Sequence, residues 1–427
     1  AVVDAIARRR GLAVFGDEEH DTVEVIEALR DLEPEKAPRG RRIAFIGTRG
    51  VPSRYSGFET FVEQLGARLV ERGDKVTVYT RSRANEEGRR EYRGMRLVTL
   101  PAPSSKHLET LVHTFISMIH ALFGGYDAVI VCGVGNAPFF WMPRLRGTRV
   151  ICNVDGSDWK RGKWGSFAKR YLRWCEAIAA RSADVLIADA EAVRDQYLED
   201  YDRVSRYVAY GSERPAAKGQ DVLEEFGLEP DGYVLFVGRL VPENGAHRLI
   251  EAHEKCGTDV PLVIVGDATY EEDYKAELRA LAGDKVVFTG YQFEDAYHQL
   301  SANARLYVLA SSVGGTHPVL IEQMAFGNPI LAHDTGANSE GVGDAGIIYS
   351  GEEPSEDLAH QMKRVLEDDE LRRDLGERAH ARAHRRYSWE SVVEVYSRLL
   401  SLPSAREARR RSARGVGLGA PAGTMRT

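Results

Sequence analysis

From residue 41 onward, short runs of β-branched and other apolar residues alternate with stretches whose apolar positions recur every three to four residues. The run Arg-Ile-Ala-Phe-Ile-Gly (42–47) predicts a buried strand. In the segment that follows (57–74), Phe58, Phe61, Val62, Leu65, Leu69 and Val70 fall on one helical face. KVTVYTR, MRLVTLP, DAVIVCG, RVICNVDG and DVLIAD continue as strands with helices between several of them, and RYVAYG (206–211) closes this half. The pattern then restarts with YVLFVGRL, LVIVGD, KVVFTGY, LYVLAS, PILAHD and GIIYS. Strands buried on both faces and joined through helices predict parallel sheets covered by helices. The chain therefore predicts two α/β domains in tandem, with ligands beyond the carboxyl ends of the strands. The expected boundaries are an N-terminal extension of unassigned role (1–40, one helix at 21–32), a first domain (41–212) and a second (213–385). A C-terminal helix (386–402) that crosses back to the first domain follows, then a disordered basic tail (403–427).

Composition narrows this little. A 43% hydrophobic and 28% charged content over 427 residues is that of a globular protein of about two domains. The net charge of −7 argues against a nucleic-acid binder. Cys132, Cys152, Cys175 and Cys256 have no paired spacing, so neither a zinc site nor a disulfide framework is expected and a reducing cytoplasm is. No segment reads as a signal peptide. The longest apolar candidate (107–125) is interrupted by His113 and His120 and falls short of the ~18 residues a spanning helix needs.

Three stretches carry candidate chemistry. IGTRGVPSRYSGFET (46–60) is a strand, a glycine-containing loop and a helix start. It matches neither the dinucleotide fingerprint nor the P-loop. Its glycines still permit close backbone approach, and the helix N-terminus favours an anion; a plain strand-to-helix connection is the alternative. Arg239 stands just past a strand end, where a guanidinium can grip a phosphate, or is an ordinary loop arginine. In SSVGGTHPVLIEQMAFGNPILAHD (311–334), Thr316 and His317 precede a helix with Pro318 in its first turn. Glu322 lies one turn deeper, able to accept hydrogen bonds from a diol such as a ribose, or an exposed helix glutamate. A fourth stretch (159–180) interleaves Lys160, Arg161, Lys163, Lys169, Arg170 and Arg173 with Trp164, Phe167, Tyr171 and Trp174. It reads as an interfacial helix on anionic lipid, or as an amphipathic helix with its aromatics in the core.

GTRGVPSRYSGFETFVEQL, NVDGSDWKRGKW, GRLVPENG and GGTHPVLIEQMAFGNPILAHD together resemble the family 4 retaining glycosyltransferases of the GT-B fold, over about residues 42–400. More narrowly they resemble the bacterial rhamnosyltransferase-type branch of polysaccharide assembly. The resemblance implies two Rossmann-like domains facing across a cleft, the first for the acceptor and the second for a nucleotide-diphosphate sugar. It places the glycine loop Gly50–Gly57, with Ser56, beside the donor. Arg239 would clamp the diphosphate, with Thr316, His317 and Val319 at the helix start and Glu322 on the ribose. Where the family has a lysine five residues after that arginine, this chain has Asn244. Where the family has a first acid eight residues before the second, it has Gly314.

The missing acid suits a deoxysugar such as rhamnose from dTDP-rhamnose, and equally a weakened activity. Asp155 is the expected hydrogen-bonding or base-like group at the reacting centre, with Asp158 second. Arg161, Lys163 and Trp164 are expected on the acceptor or membrane side. No metal and no cofactor are expected, since front-face attack leaves charge stabilisation of the departing diphosphate as the main task. The acceptor would be a saccharide, lipid-linked in one reading, met at the inner face of a membrane; no nucleic-acid partner is expected. Two rivals remain: a nucleotide-sugar epimerase of the same fold and a non-catalytic scaffold.

Overall fold

A computed structural model describes residues 40–53, 57–103, 109–154, 156, 159, 165–214, 219–268, 271–350 and 352–401. Eight strands form the first sheet: β1 Arg42–Ile46, β2 Lys75–Arg81, β3 Glu91–Tyr92, β4 Met95–Leu100, β5 Ala128–Cys132, β6 Arg149–Asn153, β7 Val185–Ala188 and β8 Arg206–Tyr207. Their order is β3-β4-β2-β1-β5-β6-β7-β8, parallel except for β3 against β4. That hairpin turns on Arg93 and Gly94, both at positive φ, as a two-residue hairpin loop requires. The eighth strand is shorter than the apolar run 206–211 suggests.

Its helices are α1 Gly57–Glu71, α2 Glu109–Leu122, α3 Trp141–Leu145, α4 Ser166–Ser182 and α5 Glu191–Tyr201. The step from β1 to β2 runs one way across the sheet, and the steps β4 to β5, β5 to β6 and β6 to β7 run the other way. Right-handed crossovers therefore put α1 on one face and α2, α3 and α4 on the opposite face. The buried clusters follow: Phe61, Val62, Leu65 and Leu69 on one side, Met118, Met142, Cys175 and Ala179 on the other.

The second sheet comprises β9 Val234–Val237, β10 Leu262–Val265, β11 Val286–Gly290, β12 Leu306–Leu309, β13 Ile330–His333 and β14 Ile347–Tyr349, ordered β11-β10-β9-β12-β13-β14 and parallel throughout. Its helices are α6 Asp221–Glu225, α7 Ala246–Cys256, α8 Glu272–Leu281, α9 Glu294–Ala302, α10 Pro318–Phe326, α11 Gly336–Val342, α12 Pro354–Glu367 and α13 Asp369–Arg386. The strand order reverses between β1 and β5 in one sheet and between β9 and β12 in the other, which is where a crevice opens.

The last helix, α14 Trp389–Ser401, packs on α1 of the first domain. The rings of Phe61 and Tyr396 meet at a tilt, their centroids 5.4 Å apart. Arg41 donates to the Ser397 carbonyl at 2.6 Å, and Arg149 to those of Leu399 and Leu400 at 2.9 Å each. The two crossings between domains run side by side, Ser212 N donating to the Tyr387 carbonyl at 2.6 Å. Behind them a cavity of about 510 Å³ is lined by Arg68, Arg72, Glu213, His384 and Trp389. Its arginines are already paired, Arg68 with Glu213 at 2.8 Å and Arg72 with Glu394 at 2.7 Å, so it is a braced hinge rather than the chemical site.

Candidate active site

The two helices that matter begin at the same seam. α1 opens at Gly57 after the loop that leaves β1, and α10 opens at Pro318 after the loop that leaves β12. A methyl group on Gly57 would lie 2.7 Å from Pro318 Cγ, so the two N-termini nearly touch. The first amides of each helix have no intrahelical acceptor, and Pro318 contributes none, which leaves Val319 as the first N–H of α10. Two positive dipole ends therefore converge on one place, a natural seat for a diphosphate. Gly50 sits in the first of these loops, turned at φ +124° against Thr80. The loop is shaped by Glu59, whose buried carboxylate accepts from Arg49 N at 2.9 Å.

Arg239 follows the carboxyl end of β9 by two residues and is half-buried. Its carbonyl accepts from the Asn244 side-chain amide at 2.8 Å. Asn244 thus ties down the turn that carries the arginine, and it brings no charge of its own.

Glu322 projects from the second turn of α10 and is only partly exposed. Its Oε2 accepts from the Tyr297 hydroxyl of α9 at 2.7 Å, and that hydroxyl in turn accepts from Gln323 Nε2 at 3.2 Å. Burial raises the Glu322 carboxyl above its ordinary value, and the tyrosine bond pulls the other way. The side chain is a held acceptor rather than a solvent-facing helix glutamate. The sequence gives no hint of Tyr297, which lies 25 residues earlier on another helix.

The loop between β12 and α10 departs most from expectation. Gly314 has φ +142°, a region L-residues rarely adopt, and a Cβ there would meet the His317 ring at 3.1 Å. An L-side chain at this position is therefore strained. The backbone has a shape that glycine permits, and the imidazole of His317 fills the adjoining space.

Thr316 does not point freely into the cleft: its Oγ1 donates to the Asp189 carbonyl at 2.6 Å, across the domains. Asp189, fully buried just past β7, also has its carboxylate against Gly315. A buried acid at a strand's carboxyl end was the available signal for it. A second bridge comes from Glu340 of α11, whose carboxylate accepts from Glu191 N at 2.8 Å with either oxygen and from Ala192 N at 3.3 Å. Burial pushes Glu340 up to about 7.

The structure thus brings Gly57, Thr316, His317 and Val319 together at one seam. Asp155, Ser56, Asp158, Arg161, Lys163 and Trp164 lie outside the described residues. Their neighbour Gly156 is described, and it rests on the Gly314–Gly315 backbone, where a methyl group would be 2.6 Å from Gly315 N. The 159–180 stretch is corrected in part: Phe167 and Trp174 are exposed rather than in the core, while Tyr171 bonds the Gly135 carbonyl at 3.1 Å.

Comparison with known proteins agrees with this architecture. Residues 223–382 match the family model "Glycosyl transferases group 1", and residues 56–210 match "Glycosyl transferase 4-like domain". The chain is 32% identical over 253 residues to the N-acetylgalactosamine-N,N'-diacetylbacillosaminyl-diphospho-undecaprenol 4-alpha-N-acetylgalactosaminyltransferase of Campylobacter jejuni, covering 57% of this chain and 67% of that one. It is 27% identical over 402 residues to the D-inositol 3-phosphate glycosyltransferase of Acidothermus cellulolyticus, covering 83% and 88%. In fold it resembles Anabaena HepE, solved with UDP and glucose, at a TM-score of 0.70 and 20% identity over 84% of this chain and 99% of that one. The chain belongs to the family 4 type glycosyltransferases of the GT-B fold.

Proposed function

We propose that this protein transfers a sugar from a nucleotide-diphosphate donor to a saccharide hydroxyl, with retention, during assembly of a bacterial glycan. The observation that carries the reading is the convergence of the N-termini of α1 and α10, with Glu322 held one turn deeper and Arg239 just past the carboxyl end of β9. Helix amides and a guanidinium are suited to a diphosphate whose charge grows as it leaves. Glu322, oriented by Tyr297, takes the two ribose hydroxyls. With Asn244 neutral, charge stabilisation rests on Arg239 and the amides, without a metal. The leaving phosphate receives the acceptor proton in a front-face reaction, and Asp155 contacts the reacting sugar.

Rhamnose from dTDP-rhamnose is the favoured donor. Support comes from Gly314: its backbone and the His317 ring leave no carboxylate for a hydroxyl of glucose or mannose type. The relatives include an N-acetylgalactosaminyltransferase, a mannosyltransferase and a kanosaminyltransferase, so the family itself accommodates varied donors. A lipid-linked glycan is the favoured acceptor.

Thermal unfolding with dTDP, UDP, GDP and ADP, each with and without chelator, tests this. At a hundred times its dissociation constant a nucleotide stabilises by about 2.7 kcal/mol. Stabilisation by dTDP above the others, unchanged by chelator and abolished in Glu322→Ala, is the expected result. A preference for UDP or GDP removes rhamnose and keeps the transferase. No response to any nucleotide removes the transfer reading in favour of a scaffold.

A further inference from the structure

The carboxyl ends of β12, β13 and β14 lie side by side in the second sheet, and the start of α7 sits against them. A methyl group on Gly245 would collide with the Ala310 carbonyl just past β12. Arg248, in the first turn of α7, is half-buried. Among the described residues its guanidinium makes one hydrogen bond, from Nη2 to Ser312 Oγ at 3.4 Å, and no ion pair. The neighbouring acids are engaged elsewhere. Glu251, one turn along the helix, accepts from Ser355 Oγ at 2.8 Å, and Asp334, just past β13, accepts from Ser339 Oγ at 3.2 Å. A cation taken half out of water without an acid beside it is costly, and a guanidinium has donors to spare for an anion.

Two further polar groups share the place. His333 ends β13, Tyr349 ends β14, and the two are register partners. Paired residues send their side chains to the same face of a sheet, and these rings meet edge to face at 5.4 Å. His333 is 7% exposed and Tyr349 fully buried, yet neither His333 Nδ1 nor the Tyr349 hydroxyl has a hydrogen-bond partner. Burial lowers His333 and raises Tyr349, and the Arg248 charge acts on both. Buried polar groups are ordinarily satisfied within the protein, so two orphans beside an unpaired arginine form a convergent set. Together they offer a cation, a hydroxyl and a ring N–H, the elements that recognise an oxyanion. His247 takes no part, since its Nδ1 meets the Tyr274 hydroxyl of α8 at 2.7 Å.

We infer that Arg248, Ser312, His333 and Tyr349, with the positive end of α7, form a binding site for a phosphoryl group. α7 begins after Gly245 with no side-chain cap, so its dipole adds to the guanidinium. A phosphoryl group has oxygens enough to meet the arginine, the hydroxyls and the ring N–H at once. The site is distinct from the seam of α1 and α10. Leu249 and Ile250 of α7 share one buried cluster with Leu358 and Met362 of α12 and with Tyr349. Leu300 of α9 and Leu320 and Met324 of α10 belong to another, on the opposite face of the sheet. Arg248 and Glu322 therefore flank the loop between β12 and α10 from opposite sides. Two sources supply the chemistry, the donor's diphosphate on the far side of that loop and free inorganic phosphate. The site itself does not rest on the transfer reading.

Calorimetric titration of the full chain with inorganic phosphate, dTDP and thymidine tests the site. Arg248→Met and Tyr349→Phe should each weaken binding of the phosphoryl ligand at least tenfold, and Arg248→Lys should restore part of the loss. Thymidine, which has no phosphoryl group, should behave alike in parent and variants. Tyr349→Phe should keep the parent's circular dichroism and a ligand-free Tm at or above the parent's, because the hydroxyl it removes has no protein partner. Weakened dTDP binding in these variants, with dTDP displacing phosphate, assigns the site to the donor's diphosphate. Phosphate binding that persists at saturating dTDP and falls in the variants assigns it to free phosphate. Phosphate and dTDP binding unchanged in both variants overturns the site, and so does a Tyr349→Phe protein whose Tm falls while binding is kept. Phosphate binding without any nucleotide response sinks only the transferase reading, and dTDP binding that no variant alters sinks only this inference.

Discussion

Glu340→Gln and Glu340→Ala examine the join between domains directly. The N-cap position of α5 is Ala190, which has no side-chain acceptor, and Glu340 of the other domain supplies one to the Glu191 and Ala192 amides instead. A helix cap is worth about 1 kcal/mol, and a carboxylate at a partly buried helix N-terminus up to about 2 kcal/mol. Glu340→Ala should therefore lower unfolding stability by about 1–2 kcal/mol at the acid end of the range, and by less as the pH rises. The pH dependence separates charge from shape. Burial raises the Glu340 carboxyl from 4.5 to about 7, so the folded protein holds that proton more tightly than the unfolded chain does. Its contribution is fully present below about pH 4.5, declines as pH rises to about 7, and is constant above that. Each pKa unit corresponds to about 1.4 kcal/mol, which sets the full decline on the order of 3 kcal/mol as an upper figure. Glutamine keeps an acceptor and cannot titrate. Urea unfolding of parent and Glu340→Gln, followed by tryptophan fluorescence between pH 5 and 8, should show the parent's relative stability falling as pH rises. A gap independent of pH would refute the buried-carboxylate account. A gap that widens with pH would mean the amides hold the charge more strongly than burial opposes it.

Two further outcomes follow from the donor loop. Gly314→Glu should not create a sugar-binding acid: at φ +142° it introduces strain of about 1–3 kcal/mol and meets the His317 ring. A lowered Tm with no gain in transfer to any donor is expected, and a gain with unchanged Tm would mean the loop accepts an acid after all. Tyr297→Phe removes the hydroxyl that holds Glu322, a charge-assisted bond worth about 1.5–3 kcal/mol. The carboxyl should rise further, so calorimetric nucleotide affinity should fall on the order of tenfold, and by more at the lower of two pH values than at the higher, because a raised carboxyl is less ionised there. A loss equal at both pH values would refute a charge-based role for Glu322.

Periodicity along the chain decides local matters, and those it determined. Strands β1, β2, β5, β6, β9, β10 and β12 occupy the apolar runs that name them, because a strand buried on both faces has to be apolar at successive positions. The helix 57–74 was equally legible from its one-sided apolar face, and its observed core residues include Phe61, Val62, Leu65 and Leu69. The β3–β4 hairpin was not legible, since two residues cannot display a period, and the run 206–211 gave only the two-residue β8. Motif order pointed to Arg239, Glu322 and the start of α10, since each follows a strand end within a short stretch of chain. What those side chains touch was decided by tertiary structure alone. Thr316 reaches a carbonyl 127 residues away and Glu340 an amide 149 residues away, and no local pattern records such a partner. Gly314 is the sharpest case. The sequence shows a glycine in place of an acid, but only the folded loop, with its positive φ and the His317 ring beside it, shows that an L-side chain would be strained there. Likewise the helix 166–182 could be called amphipathic from its spacing, whereas which aromatics are buried depends on where α2, α3 and the sheet lie against it. Spacing sets which residues share a face; whether that face meets protein or solvent is set by what the rest of the chain packs onto it.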